Sequence, residues 1–297
     1  MYLTWFKFYK ESEMAALLPK KKKKKILGAG EYGTVRCVKV AGQKFAIKTS
    51  KISTFPKHVE NTMAALREEA MTCQHPHIIE RIWCRFYDSK FSVCMELGKP
   101  VTRASGKQVL QEIGQALRFM HSHGFVHRDV KPQNIVRVGQ TLKLIDFGLT
   151  RKGDATGAPI TGYMCSRYYR PPELLRASVN YDLLVYDGRV DIWSLALTAY
   201  ELQNQKLLFY GDVEMILSQY AKYKEVAEGL FAHLLCDYDD RWTAQQMLES
   251  HKVPLIPGTI CEVEPREGVV GQYVQKLLEG NEDEVEAIGF AGINELL

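Results

Sequence analysis

The hydrophobic pattern changes period once along the chain. "TVRCVKV" (Thr34–Val40) and "KFAIKTS" (Lys44–Ser50) alternate apolar and polar positions, and the turn at Gly42 between them predicts a β-hairpin. This strand-like texture runs from Ile26 to about Met95, interrupted by one helical stretch over about 59–73. After Gly98 the period lengthens. "QVLQEIGQALRFMHSHG" sets Val109, Ile113, Ala116, Leu117 and Met120 on one helical face and stops at a glycine. "VDIWSLALTAYEL" (Val190–Leu202) is apolar nearly all round, which predicts a buried helix. A β-rich half followed by an α-rich half predicts an α+β protein of two lobes with a cleft between them. The small lobe is expected over 20–97 and the large lobe over 98–253, flanked by an extension over 1–19 and a tail over 254–297.

Composition narrows this picture. With 46% hydrophobic residues in 297, the chain can bury a large core. Six of its 39 basic residues are the run Lys20–Lys25; without them the 35 acidic residues would predominate. The basic character is therefore local, and nothing in the overall charge argues for nucleic acid. The tail is the reverse, with nine acidic residues against two basic ones from Cys261 to Leu297, and only "GQYVQKLLEG" in it looks helical. Seven scattered cysteines form no C-x-x-C pair, so neither a zinc site nor a disulfide framework is suggested, and a reducing, intracellular compartment is favoured. No run approaches the roughly 18 apolar residues of a membrane span, and no membrane partner is expected.

Three segments carry candidate chemistry. Leu27-Gly28-Ala29-Gly30-Glu31-Tyr32-Gly33-Thr34-Val35 is glycine-rich and continues as strand, the pattern of a β-hairpin flap whose backbone N–H groups approach phosphates closely. "FAIK" ends an apolar strand on Lys48, a point charge for phosphate. "VHRDVKPQNIV" holds Asp129, able to accept a proton from a hydroxyl, and Asn134, able to take a metal. "LIDFGLT" adds Asp146, able to bridge a metal to phosphates. Phosphoryl transfer needs such parts because its transition state is loose and highly charged, so catalysis is mostly positioning and charge neutralisation.

In this order and spacing the segments resemble the eukaryotic protein kinase family over about 21–253, with a kinase domain expected over 20–253. "RPPE" (Arg170–Glu173), Asp191 in "DIWS" and Arg241 in "DYDDRWTA" extend the resemblance. It implies ATP and Mg²⁺ as cofactors and serine/threonine hydroxyls of proteins as acceptors. It also implies Lys48 on the α- and β-phosphates, Asp129 as catalytic base, and Asn134 and Asp146 as metal ligands. Lys131 would contact the γ-phosphate, and Ser166 would link its loop to Asp129 and Lys131. Met95 resembles the gatekeeper, with the backbone of Glu96 and Gly98 facing adenine. "LREEA" offers Glu68 as the partner of Lys48, with Glu69 as the alternative. The alternatives to an active kinase are a pseudokinase scaffold and a small-molecule phosphotransferase.

"TGYMCSRYYRPPELL" resembles the activation segment of the group holding the MAP, cyclin-dependent and glycogen synthase kinases. The resemblance implies activation by phosphate on Thr161 or Tyr163, held by Arg128, Arg67 and Arg151. The hinge-to-Asp129 distance is short, so the helix that usually follows the hinge is expected to be largely absent. This pared-down form resembles that of viral enzymes, which would place the protein in the cytoplasm or nucleus of a host cell. The lysine run is expected to enter the first strand, while "PKKKKK" also resembles a nuclear-import signal.

Overall fold

A computed structural model of the chain describes residues 25–30, 33–40, 43–51, 72–87, 90–152, 166–180 and 186–261. The lysines 20–24, Glu31, Tyr32, Gly42, Glu68 and Glu69, Thr161, Tyr163 and the tail beyond Cys261 lie outside them.

Two compact units emerge. The first holds a five-stranded antiparallel sheet of order β1-β2-β3-β6-β5. Its strands are β1 (Lys25–Gly30), β2 (Gly33–Val40), β3 (Gln43–Lys51), β5 (Arg81–Tyr87) and β6 (Lys90–Glu96). The alternation read from sequence fixes the register of the central hairpin, which pairs Val35 with Lys48, Cys37 with Ala46 and Val38 with Phe45. Val38, Ala46, Val93 and Cys94 are buried. The last two positions of the helix expected over 59–73 are instead extended, in β4 (Thr72–Gln74). A β-branched Thr72 and the restriction that Pro76 places on His75 oppose helix there. β4 pairs with β12 (Thr259–Cys261), a strand with no alternation to announce it.

The second unit is mostly helical. Helix α1 (Gly106–Ser122) buries all five residues of its expected face. Between Gly98 and α1 there is only β7 (Lys99–Pro100) and five further residues, so no helix follows the hinge. The helices that follow are α2 (Pro172–Asn180), α3 (Arg189–Asn204), α4 (Val213–Val226), α5 (Gly229–Leu234) and α6 (Ala244–Ser250). Every residue of α3 from Val190 to Ala199 is buried, which makes this helix the axis of the unit. Ile192, Trp193 and Leu195 are wholly enclosed. Burial of such side chains stabilises by about 1.5–3 kcal/mol each. α4 is capped by Asp212, whose carboxylate accepts the Met215 N–H at 2.8 Å. α6 starts on a reciprocal Thr243–Gln246 capping box. Short strands β8 (Phe125–Val126), β9 (Ile135–Val138), β10 (Thr141–Leu144) and β11 (Arg151–Lys152) carry the polar loops; β7, β9 and β10 form one small sheet and β8 pairs with β11.

The segment after α6 is strapped across α1. The buried side chain of Gln115 donates to the Pro254 carbonyl at 2.5 Å and accepts the Ile256 N–H at 3.1 Å. At Gly258 a Cβ would stand 2.7 Å from the Phe119 ring and 2.9 Å from the Gln74 carbonyl, so only glycine allows this approach. Beside it, His75 stacks on Phe119 with ring centroids 5.2 Å apart and accepts the His77 N–H at 3.2 Å. Burial, aided by the neighbouring His77, lowers the His75 pKa to about 4. The unfolded imidazole titrates near its ordinary value of about 6.5, so the neutral ring contributes fully above that pH. Its contribution is lost as pH falls from about 6.5 toward 4, amounting to about 2 kcal/mol at pH 5. His75→Gln is therefore expected to lose less thermal stability than the wild type between pH 7.5 and pH 5; an equal loss in melting experiments would remove His75 as the cause.

Candidate active site

In the first unit the glycine-rich segment occupies two strands. Leu27, Gly28, Ala29 and Gly30 lie on β1, and Gly33, Thr34 and Val35 on β2, with Gly30 opposite Gly33. One of these glycines is required by the backbone. Gly33 has φ 127°, and a Cβ there would stand 2.3 Å from the Thr49 carbonyl oxygen. A Cβ on Gly28 would meet nothing within 4 Å, so the structure itself does not demand glycine there. Lys48 lies on β3 between Val35 and Val93 and is buried. Met95 and Glu96 end β6, and the Glu96 N–H donates to the Glu80 carbonyl at 3.0 Å.

In the second unit Gly98 lies against β9; a Cβ on it would fall 2.4 Å from Val136 Cγ2. The loop from His127 to Asn134 follows β8 and is held from below by Asp191 at the start of α3. The Asp191 carboxylate accepts the Arg128 N–H at 2.7 Å, the His127 N–H at 2.8 Å and a hydrogen bond from His121 Nε2 at 2.8 Å. Burial alone would push this carboxyl up; the hydrogen bond and charge of His121, with His127 and the Arg128 amide, outweigh it and hold the group below the usual carboxylate range. His127 Nδ1 accepts the Asp129 N–H at 3.2 Å, so Nε2 carries the proton and donates to the Ile145 carbonyl at 3.2 Å. One ring thus ties the Asp129 loop to the strand that leads to Asp146.

Asp129 is surrounded on one oxygen. Lys131 Nζ lies 2.7 Å from its Oδ2, and Asn134 Nδ2 donates to the same Oδ2 at 2.8 Å and to the Asp129 carbonyl at 2.7 Å. Oδ1 takes no hydrogen bond from these donors. Asn134 spends both amide hydrogens on Asp129 through Nδ2, and its Oδ1 is an acceptor turned away from that pair. Asp146 has φ 62°, and its Oδ1 accepts the Gly148 N–H at 3.4 Å. An amide oxygen and a carboxylate are the hard donors that Mg²⁺ takes, so these two residues fit that ion. Lys131 also donates to Ser166 Oγ at 3.1 Å, joining the loop before "RYYRPPE" to Asp129 through one ammonium. The turn Arg167–Tyr169 that follows is anchored to α3 by Ser194 Oγ on the Tyr169 carbonyl at 2.8 Å and by the Tyr169 hydroxyl on Glu201 at 2.5 Å. Burial and the adjoining Glu201 push the Tyr169 phenol well above its ordinary range. Glu173 receives a bidentate pair from Arg241, at 2.7 and 3.0 Å, with the guanidinium over the Trp193 ring.

A general model of the protein kinase domain matches residues 21–266. The chain belongs to the protein kinase family. Its antiparallel-sheet N-terminal unit and helical C-terminal unit are those of the two-lobed kinase fold. Similar proteins include the "Cell division control protein 2 homolog 3" of Trypanosoma brucei brucei, 32% identical over 64% of this chain and 64% of the relative. The "Serine/threonine-protein kinase ICK" of Mus musculus is 30% identical over 64% of this chain and 32% of its own length. A "Probable serine/threonine-protein kinase" of Dictyostelium discoideum is 42% identical over 37% of this chain and 20% of its own length. The match thus spans between a fifth and about two thirds of these kinases' lengths.

Of the kinase residues expected from sequence, Asp129, Lys131, Asn134 and Ser166 meet in one hydrogen-bonded group. Glu31, Tyr32 and Glu68 fall outside the described residues. His121, the second support of Asp191, was not singled out by the motifs. Its signal is positional: it sits in the last turn of α1, the helix that stops just before the "VHRD" loop.

Proposed function

We propose that the protein is an ATP-dependent serine/threonine protein kinase, and that phosphate on Thr161 or Tyr163, both outside the described residues, activates it. In this reading the backbone of residues 27–35 and Lys48 hold the ATP phosphates, and the backbone of Glu96 and Gly98 receives adenine. Asp129 Oδ1 takes the proton of the acceptor hydroxyl as its oxygen attacks the γ-phosphorus. The bond from that phosphorus to the β–γ bridging oxygen breaks, and ADP leaves. Mg²⁺, when bound, neutralises phosphate charge; Asn134 Oδ1 and the Asp146 carboxylate are the groups that would hold it.

The observation that carries this reading is Lys131, whose ammonium lies 2.7 Å from Asp129 and donates to Ser166 at 3.1 Å. A cation so placed serves both the γ-phosphate and the loop that would seat an acceptor serine or threonine. The relatives' printed names are in keeping with it. Incubation of the full chain with γ-labelled ATP, Mg²⁺ and casein or myelin basic protein is expected to yield phosphoserine and phosphothreonine. The label should vanish with chelator, and the active fraction should carry phosphate at Thr161 or Tyr163 by mass spectrometry. Phosphotyrosine alone, or no labelled protein, would overturn the assignment.

A further inference from the structure

Two neighbouring segments of the second unit carry cations and no carboxylate. Residues 98–111 contain Lys99, Arg103 and Lys107, and residues 202–211 contain Lys206; neither stretch has an Asp or Glu. All four cations are exposed, and none takes part in an ion pair among the described residues. Three hydrogen bonds weld the segments into one surface. The Ala104 N–H donates to the Leu202 carbonyl at 3.1 Å, the Gln205 side chain to the Thr102 carbonyl at 2.8 Å, and the Gly106 N–H to Gln203 Oε1 at 2.9 Å. Arg103 therefore projects from a backbone pinned on both sides, and Lys206 follows the residue that does the pinning. α1 adds Lys107 in its first turn with no acid to offset it, although a cation is unfavourable at that end.

The C-terminal end of α3 ties the backbone of these segments to the turn that follows Ser166. Leu202 follows Glu201, which holds the Tyr169 hydroxyl, and Tyr169 closes the turn that begins after Ser166. Arg167, in that turn, is a further exposed cation beside Ser166. An acidic protein segment that reaches Arg167 or the strip meets positive charge there. Tyr210 in the second segment and Tyr168 beside Arg167 are exposed, so oligonucleotide binding is the competing outcome that the test separates.

We propose that the strip Lys99, Arg103, Lys107 and Lys206, with Arg167, binds acidic residues of the protein substrate and selects acceptor sites flanked by Asp, Glu or phosphorylated side chains. This rests on the kinase reading above. The test compares kcat/KM of the full chain for two serine peptides, one flanked by Asp and Glu and the other by Asn and Gln. Wild type is expected to favour the acidic peptide about tenfold at low salt, as several surface charge pairs acting together would give. The advantage should shrink as ionic strength rises. In the combined Arg103→Gln, Lys107→Gln, Lys206→Gln variant the ratio should fall toward one. Anisotropy with the labelled acidic peptide gives an independent readout and should show weakened binding in the same variant. Equal use of both peptides by wild type would overturn the inference and leave phosphoryl transfer standing. Failure to label either peptide would overturn the kinase reading and this inference with it. A synthetic 278–287 peptide from the chain's own acidic tail that inhibits through the same cations, with no acidic advantage in substrates, would reassign the strip to that tail. Tighter cation-dependent binding of single-stranded oligonucleotide than of acidic peptide would reassign it to nucleic acid.

Discussion

Asp129→Asn is expected to lower phosphate transfer about a thousandfold while leaving the melting temperature and the KM for ATP near wild type. The reasoning is atomic. Lys131 and Asn134 both place hydrogens on Asp129 Oδ2. An asparagine accommodates those donors only by setting its amide oxygen in the Oδ2 position. Its NH₂ group then occupies the Oδ1 position, where a substrate hydroxyl would have to give up its proton. The local shape survives and the acceptor is lost. Steady-state kinetics with a peptide substrate would check this. A variant retaining more than about a tenth of wild-type kcat would show that proton acceptance at Asp129 is not the demanding step.

Arg241→Met is expected to be the most destabilising single change, by about 3–5 kcal/mol. The guanidinium is 2% exposed; besides Glu173 it donates to the Arg189 and Cys236 carbonyls at 3.3 and 3.0 Å. Its removal leaves the Glu173 carboxylate without its bidentate counter-ion and two carbonyls without a donor. Methionine keeps much of the stem's contact with Trp193, so the measured loss reports charge and hydrogen bonding more than volume. The double variant Glu173→Gln, Arg241→Met should recover part of the loss, since the partly buried unpaired charge is gone. Denaturant titration of the three variants decides the matter. A single variant within about 1 kcal/mol of wild type would mean that the pair contributes little.

How much of this was legible in the sequence depended on the range of the signal. α1 and α3 were legible because burial repeats within each helix, and the β2–β3 hairpin because alternation and pairing are local. Asp129, Lys131, Asn134 and Asp146 were legible as residues, since their spacing is fixed within one loop and the strand beyond it. Their atomic division of labour was not, because it depends on which oxygen each donor reaches. The Gln115 strap was hidden for a different reason: a polar residue inside an apolar helical face reads as an interruption until residues 254–256 are laid against it. β7 was hidden too, for two residues carry no periodicity and its pairing with β9 spans the whole of α1.

Arg128 and Asp146 adopt left-handed backbone angles, φ 71° and 62°. Outside glycine such a conformation costs about 1–2 kcal/mol, and arginine lacks even the short polar side chain that eases it. The Asp191 hydrogen bonds to the Arg128 and His127 amides hold the first of these angles in place. Any breeding scheme that rewards heat resistance alone would favour glycine or asparagine at position 128, where the backbone relaxes and a guanidinium is discarded. If Arg128 holds the activating phosphate, as the kinase reading proposes, directed evolution toward robustness alone would drift toward well-folded variants that no longer respond to phosphorylation, unless turnover is scored in every round.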